Sequence, residues 1–265
     1  MAVEYAITPL VIAWGLQREM SRFTYLNNYG VKFDIPYLAF LVQGRDLNLL
    51  VDTACSADDY QRWIKPSGSP LIAGGETFKD VVDADPIERA LTQRGLTFDD
   101  IHVVFQTHLH WDHCLNTIKF PRARVLIQRA ELEDLPCHPF YRFTFAPDEF
   151  YDNLKRSLAL EVLDGNSTIA DGLDVIFSPG HTAGGQSLAV RTSQGRYVIA
   201  GLCTINKNYY LTAEEQQRLG YPIIPPGSHK DVIRSYESCL RLKEIGGANI
   251  LPLHEPSLAQ RGTIK

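Results

Sequence analysis

The stretch from residue 101 to residue 113 reads IHVVFQTHLHWDH, and it joins an apolar run to a dense group of polar side chains. The run Ile101–Phe105 is short and rich in β-branched residues, which is typical of a buried strand. The polar residues that follow include His108, His110, Asp112 and His113. Imidazole and carboxylate groups together suit zinc, iron or manganese, and such a group has little structural purpose after a buried strand. The stretch therefore predicts a metal site at a strand end.

The same order, an apolar run and then a polar residue, recurs elsewhere in the chain. Leu173–Phe177 precedes His181, Tyr197–Ala200 precedes Cys203, Ile250–Leu253 precedes His254, and Leu47–Val51 precedes Asp52. Residues at the ends of several strands can converge on one edge of a layered fold, so we expect these side chains to meet the His-rich stretch. Strands occur in runs as well as in alternation with helical patterns. This arrangement predicts an α/β protein with two mixed sheets covered by helices, a four-layer αββα sandwich.

Composition limits the class of protein. The 265 residues are 45% hydrophobic and 22% charged, as in soluble globular proteins, which excludes a disordered chain, a collagen-like fibre and a coiled coil. The net charge is −5 and no basic patch stands out, so we expect neither nucleic acid nor a membrane surface as a partner. We expect a single domain over residues 1–265, with loop-rich insertions near 54–85 and 134–168 covering the site.

Cysteine usage indicates the compartment. The chain has five cysteines, an odd number, and no CxxC pair, which argues against a disulfide framework and favours a cytoplasmic protein. The apolar stretch Pro9–Leu16 follows an acidic residue and has no A-x-A cleavage site, so it is predicted to be a strand rather than a signal peptide.

Three motifs together resemble the metallo-β-lactamase superfamily of hydrolases: H-x-H-x-D-H at 108–113, S-P-G-H-T at 178–182 and L-P-L-H at 251–254. Length and insertions look most similar to the N-acyl homoserine lactonase-like branch. The resemblance implies one metal held by His108, His110 and His181. It implies a second metal held by Asp112, His113 and His254. It further implies that Asp52 holds a ligating imidazole in place.

The chain departs from this family at one ligand. Members usually carry an aspartate that bridges both metals after the strand corresponding to Tyr197–Ala200. Here Leu202 or Cys203 takes that position, and no acidic residue follows until Glu214. Because a thiolate is a good zinc ligand, Cys203 is a candidate replacement. The alternative is that Cys203 binds no metal and packs as a small buried hydrophobic residue.

Substrate contacts are the next set of candidates. Lactonases of this branch usually place a tyrosine three positions after the bridging aspartate, and here that residue is Asn206. Asn206 is predicted to donate a hydrogen bond to an oxyanion, and Tyr209 is close enough in sequence to reach the same site. In the second insertion, His138, Phe140 and Tyr141 are candidates for the substrate pocket.

The sequence thus predicts a hydrolase with one or two zinc ions, iron and manganese being alternatives. We expect it to open a lactone or related cyclic acyl substrate by attack of hydroxide generated on the metal, with Asp112 passing the proton to the leaving group. Three alternatives use the same ligands: cyclic amide or other amide hydrolysis, thioester hydrolysis and mononuclear iron redox chemistry. A fourth is a catalytically weak binding or sensing protein. The expected partner is a small molecule, and a homo-oligomer is left open.

Overall fold

A computed structural model describes residues 4–65, 80–135, 144–157 and 159–265, which form two β-sheets. The strands of the first sheet are, in spatial order, β4 (Val81–Asp83), β1 (Ala6–Glu19), β2 (Lys32–Gln43), β3 (Asn48–Val51), β5 (Val103–Phe105), β6 (Arg124–Gln128) and β7 (Ala159–Leu163). Those of the second are β12 (Ile250–Pro252), β11 (Gly195–Ala200), β10 (Gln186–Thr192), β9 (Leu173–Phe177) and β8 (Ser167–Ala170).

Parallel pairing brings the predicted strand ends together. β3 pairs in parallel with β5, so Asp52 and the His-rich stretch leave the first sheet at the same edge. β11 pairs in parallel with β12, so Cys203 and His254 leave the second sheet at a common edge. The other pairs around β1 and β2 are antiparallel, which makes the first sheet mixed.

Alternation along the strands creates the layers. Leu38 and Phe40 of β2 face the second sheet, where they share a core with Val175 of β9 and Leu188 of β10. The intervening residues of β2 face the opposite way, into a core that lies on the outer side of the first sheet. Val198 of β11 likewise packs outward, in a third core on the far side of the second sheet. Most strands therefore contribute to two cores, as expected for sheets covered on both faces.

Helices cover the outer faces. In the described part of the chain they are α1 (Ala57–Asp59), α2 (Ile87–Thr92), α3 (Trp111–Cys114), α4 (Arg129–Asp134), α5 (Asp148–Ser157), α6 (Asn206–Tyr209), α7 (Ala213–Leu219) and α8 (Val232–Gly246). The Asp231 side chain begins α8 by accepting a hydrogen bond from the Arg234 amide at 3.0 Å. Over those same residues, no helix has the length and apolar character that a bilayer crossing requires. Two sheets between helical layers confirm the predicted αββα architecture.

Candidate metal centre

The Asp52 carboxylate joins the ends of β3 and β5. It is fully buried, and it accepts hydrogen bonds from the Thr107 amide at 2.8 Å, the Thr107 hydroxyl at 2.8 Å and His113 Nδ1 at 2.9 Å. The backbone at Asp52 is left-handed, with φ of 57°, which turns the side chain back toward β5. Because Nδ1 of His113 carries the proton that it donates to this carboxylate, Nε2 of the neutral ring is unprotonated and keeps its lone pair.

His108 is oriented through the same contact. Its Nδ1 lies 3.0 Å from the Thr107 hydroxyl, which itself donates to Asp52. The hydroxyl oxygen therefore accepts from His108 Nδ1, and Nε2 of His108 is unprotonated and keeps its lone pair. One buried carboxylate thus sets the tautomers of two imidazoles.

A group of three imidazoles forms the first potential metal site. The ligand atoms of His108, His110 and His181 all lie within 4.8 Å of one another. The ring centroids are 4.6 Å apart for His108 and His110, 4.7 Å for His108 and His181, and 4.6 Å for His110 and His181. Edge-to-face rings at this spacing place nitrogen atoms around a common centre, and ligation of a metal there stays a prediction.

The loop after β9 places His181 in this group. Gly180 has φ of 127°, and a Cβ there would lie 2.2 Å from the Ser235 amide nitrogen, so only glycine fits. His181 Nδ1 then donates to the Ser228 carbonyl oxygen at 2.7 Å. With the proton on Nδ1, Nε2 of His181 keeps its lone pair and is available to bind a metal together with His108 and His110.

Asp112, His113 and His254 form the second group, again with their ligand atoms within 4.8 Å of one another. Asp112 Oδ2 lies 3.6 Å from His113 Nε2 and 3.8 Å from His254 Nε2. Two ligands about 2.0–2.2 Å from a tetrahedral zinc ion are about 3.4 Å apart, so these separations need little adjustment. His254 is anchored from behind, where its Nδ1 donates to the Pro36 carbonyl oxygen at 3.3 Å.

Two buried nitrogen atoms test whether these residues fit a metal. Nε2 of His108 and Nε2 of His113 are buried and have no hydrogen-bond partner among the described residues. Such an unpaired buried group costs about 1–3 kcal/mol, and a native fold retains it where something else satisfies the atom. Coordination of a divalent cation by each group would satisfy both nitrogens. The donor set fits zinc, and also iron or manganese.

Burial keeps four of the imidazoles neutral. It holds the pKa of His108 and of His110 well below the ordinary value, and the neighbouring imidazoles lower both further. Burial also lowers the pKa of His181 to about 4 and that of His254 to about 3. Because a histidine must be neutral to bind a metal, these four side chains are ready to ligate at neutral pH.

His113 and Asp112 affect each other's ionisation. Burial disfavours the protonated imidazole, but the Asp112 and Asp52 carboxylates outweigh it and raise the pKa of His113. Burial also opposes ionisation of Asp112, yet His113 and His254 hold the pKa of its carboxyl below the ordinary value. Asp112 is therefore a carboxylate at neutral pH, which is the form that a metal binds.

The Glu131 carboxylate links the two ligand-bearing loops, a feature that the sequence analysis missed. This side chain at the start of α4 is buried, and it accepts from the Leu109 amide at 2.8 Å and the Gly184 amide at 2.9 Å. A Cβ on Gly184 would lie 2.2 Å from the Glu131 amide nitrogen, so the loops approach closely. Nothing in the local sequence separates Glu131 from the surface acids of α4.

A cavity opens beside the two ligand groups, and Cys203 lines it. The Cys203 thiol is half-buried and belongs to neither group of ligand atoms. Burial, with the Asp112 charge adding to it, raises the pKa of this thiol. Ligation by Cys203 would therefore require a cation to displace the thiol proton, and it stays a prediction.

The other predicted substrate contacts lie elsewhere. The Asn206 amide donates to Glu255 Oε2 at 2.8 Å, and its side chain donates to Ser257. Tyr209 is fully buried in the outer core of the second sheet, where its hydroxyl oxygen lies 3.7 Å from the Cys239 sulfur. Neither residue lines the cavity beside the ligands. His138, Phe140 and Tyr141 lie outside the described residues.

The N-terminal segment supplies cavity residues that the sequence analysis did not identify. Arg18, Arg22, Phe23 and Tyr37 all line the cavity. The Phe23 ring lies edge-on to His254, with centroids 5.5 Å apart, and the Tyr37 ring lies 6.1 Å from the same imidazole. Arg18 lies within β1 and Arg22 in the turn that follows it, and no pattern in the local sequence marks either as a cavity residue.

Comparison with known proteins agrees with this geometry. The family model of the metallo-β-lactamase superfamily matches residues 34–244. The chain is 29% identical over 253 residues to the N-acyl homoserine lactonase AttM of Rhizobium johnstonii, covering 86% of this chain and 85% of that one. It is 26% identical over 180 residues to an N-acyl homoserine lactonase of Bacillus cereus, covering 68% and 67%.

Solved structures show the same fold. A mutant of AiiA from B. thuringiensis, with N-decanoyl-L-homoserine bound at its active site, matches with a TM-score of 0.71 at 21% identity over 97% of this chain and 95% of that one. AidC, a dizinc quorum-quenching lactonase, matches with a TM-score of 0.65 at 15% identity over 99% and 91%.

Proposed function

The chain belongs to the metallo-β-lactamase superfamily, and from this premise we propose that it is a metal-dependent hydrolase that opens a lactone or related cyclic acyl substrate. The observation that carries the proposal is the pair of ligand groups, His108, His110 and His181 beside Asp112, His113 and His254. The relatives named above as lactonases support the choice of a lactone. We extend the proposal to zinc as the metal, in one or two ions, and to a cytoplasmic location.

Bound metal ions would supply a water of lowered pKa and a Lewis acid for the substrate carbonyl. The chain's own residues do the rest. Asp112, ionised and partly exposed at the cavity, accepts the proton of the attacking water and delivers it to the leaving oxygen. Phe23 and Tyr37 flank His254 and limit access of bulk water to that side. No nucleophilic serine or cysteine is needed.

Amide hydrolysis is the second candidate, because the bridging carboxylate of the family is absent. With Leu202 buried and Cys203 on the cavity, no carboxylate from the loop after β11 reaches the ligands. A neutral thiol in place of a carboxylate would leave bound metal ions more positively charged, which would change the leaving groups they favour. Matched lactone and lactam substrates separate the two candidates.

The test incubates zinc-loaded protein with lactones, cyclic amides, thioesters and β-lactams. Hydrolysis is measured as the acid that each reaction releases. We expect turnover of a lactone that disappears on chelation and returns with zinc. Metal content below about 0.2 ion per chain, together with activity that chelators leave unchanged, would overturn the metallohydrolase proposal. Turnover of thioesters or cyclic amides without lactones would overturn the lactone assignment alone.

A further inference from the structure

The three-imidazole group, formed by His108, His110 and His181, takes its members from both sheets. His108 and His110 lie in the loop after β5 of the first sheet, and His181 lies in the loop after β9 of the second. Their ligand atoms lie within 4.8 Å of one another. Because the two loops belong to different sheets, this closeness depends on contacts that fix one loop against the other.

The Glu131 side chain lies where the two loops meet, and each of its carboxylate oxygens contacts a different loop. Oε1 accepts from the Leu109 amide at 2.8 Å, between two of the candidate ligands, and Oε2 accepts from the Gly184 amide at 2.9 Å. Burial raises the pKa of Glu131, and the hydrogen bonds from both amides oppose that rise. One buried side chain therefore joins the backbones of both loops.

The packing around Glu131 is tight on both sides. A Cβ on Gly184 would lie 2.2 Å from the Glu131 amide nitrogen and 2.4 Å from the Glu131 side chain, so the second loop rests directly on α4. On the first loop, the Leu109 carbonyl accepts from the Tyr151 hydroxyl at 2.7 Å. Leu109 is therefore held at both its amide and its carbonyl, which fixes the backbone between the two histidines that flank it.

The second ligand group is anchored by other contacts. The His113 carbonyl accepts from the Thr53 amide at 2.9 Å, which holds this part of the chain to the segment after β3. His254 is held through its Nδ1, which donates to the Pro36 carbonyl at 3.3 Å. Neither bond involves Glu131, so a change at that side chain should leave the second group in place.

We propose that Glu131 is a positioning residue for the three-imidazole group alone. By joining the Leu109 and Gly184 amides it sets the spacing between the two loops, and with it the affinity of this group for a metal ion. Zinc–nitrogen bonds are about 2.0–2.1 Å long and leave little tolerance for a change in that spacing. The inference rests on the proposed metal-dependent function and deepens it, by making the two metal ions separable.

Glu131→Gln keeps the size of the side chain but leaves it one acceptor oxygen. Its NH₂ group must face either the Leu109 amide or the Gly184 amide, so one loop loses its bond to α4. The Gln186 amide still donates to the Thr107 carbonyl at 2.9 Å, which keeps the two sheets joined nearby. Loss of a group that supports metal ligands typically lowers metal affinity by about 10- to 100-fold, so we expect a loss of at least about tenfold.

Two single-site backgrounds isolate the groups. His254→Ala leaves the three-imidazole group intact, and His181→Ala leaves the second group intact. Zinc affinity is measured in each by competition with a chromophoric chelator. Glu131→Gln should lower it at least about tenfold in the His254→Ala protein and less than about twofold in the His181→Ala protein. The visible absorption of bound cobalt(II), which follows ligand geometry, should change in the His254→Ala protein alone. Glu133→Gln is the matched control, because Glu133 is exposed on the same helix.

Equal losses in the two backgrounds, or no loss in either, would overturn the inference and leave hydrolysis standing. Glu131→Asp is a second variant, since its shorter side chain keeps the charge but cannot span both amides. Thermal melts of the chelated proteins show whether each variant folds. If neither does, Glu131 supports the whole fold and the inference is overturned as well. A loss confined to the three-imidazole group, in a protein that hydrolyses none of the test substrates, would support the inference and overturn the hydrolase proposal.

Discussion

Replacing Asp52 by asparagine tests how the ligand imidazoles are oriented. The Asp52 carboxylate accepts from three donors, two on Thr107 and one on His113. Asparagine keeps one acceptor oxygen and introduces an NH₂ group. Turned one way, that NH₂ faces the Thr107 amide, and a donor is left unpaired. Turned the other way, it faces His113 Nδ1 and favours the tautomer with the proton on Nε2, the nitrogen that should bind the metal.

The size of the effect follows from these contacts. Loss of a hydrogen bond that supports a metal-binding histidine typically lowers metal affinity by about 10- to 100-fold, or about 1.4–2.7 kcal/mol. Loss of one charged, buried hydrogen bond should lower the free energy of unfolding of the metal-free protein by about 1.5–3 kcal/mol. Backbone strain should not contribute, because asparagine tolerates the left-handed conformation at φ of 57° as well as aspartate does.

Zinc affinity is measured by competition with a chromophoric chelator, and stability by thermal melting of the chelated protein. Asp99→Asn is the matched control, since Asp99 is 49% exposed and its ion pair with Arg122 lies on the surface. Two zinc ions bound by Asp52→Asn with wild-type affinity would refute the claim that Asp52 sets the tautomer of His113.

Three further sets of substitutions test the site and the loops that support it. His108→Ala or His110→Ala should remove most activity and lower metal content, whereas His102→Ala, at the exposed start of β5, should be nearly silent; equal losses would mean that the site is misplaced. Cys203→Ser should lower metal content toward one ion if the thiolate ligates, and Cys203→Asp should retain two; full metal and wild-type turnover in Cys203→Ser would exclude ligation. Gly184→Ala should lower stability by about 1–3 kcal/mol or more, because its Cβ would meet the Glu131 backbone, whereas Gly262→Ala, with open space around it, should melt as the wild type does.

The positions of several candidate ligands could be predicted because they follow strand ends. The runs before Asp52, His108, His181 and His254 are short and mostly apolar, and parallel pairing of β3 with β5 and of β11 with β12 brings strand ends together within each sheet. The place of a buried strand in its sheet therefore also fixes the place of the residue that directly follows the strand. For such residues, local sequence determines location in the fold.

The edge strands β7 and β8 could not be predicted in this way. β7 and β8 are largely exposed or half-buried along their length and have no apolar alternation to reveal them. Substrate contacts inferred from Asn206 and Tyr209 depended on spacing in relatives, and here the chain turns into α6 at that point. The helix directs Tyr209 into the outer core instead.

The arginines of the cavity were hidden by an irregularity in β1. The pairing of β1 with β2 shifts register between Gly15 and Arg18, and Gln17 has φ of 54°. Without that bulge, alternation would give Arg18 a different face of the sheet. With it, the guanidinium points inward to Tyr37. A bulge of this kind depends on tertiary contacts that a sequence pattern does not contain.

The bond between His254 and the Pro36 carbonyl has a kinetic consequence. It joins residues 218 positions apart, and the bond from Asn208 to the Phe23 carbonyl, which crosses the same region, spans 185. Loops of this length close late, and proteins dominated by such long-range pairings fold in milliseconds to seconds. We therefore expect His254 to reach the other candidate ligands only when the two sheets have docked. We also expect a metal ion to bind the assembled pocket rather than to nucleate it, with chain closure preceding metal capture.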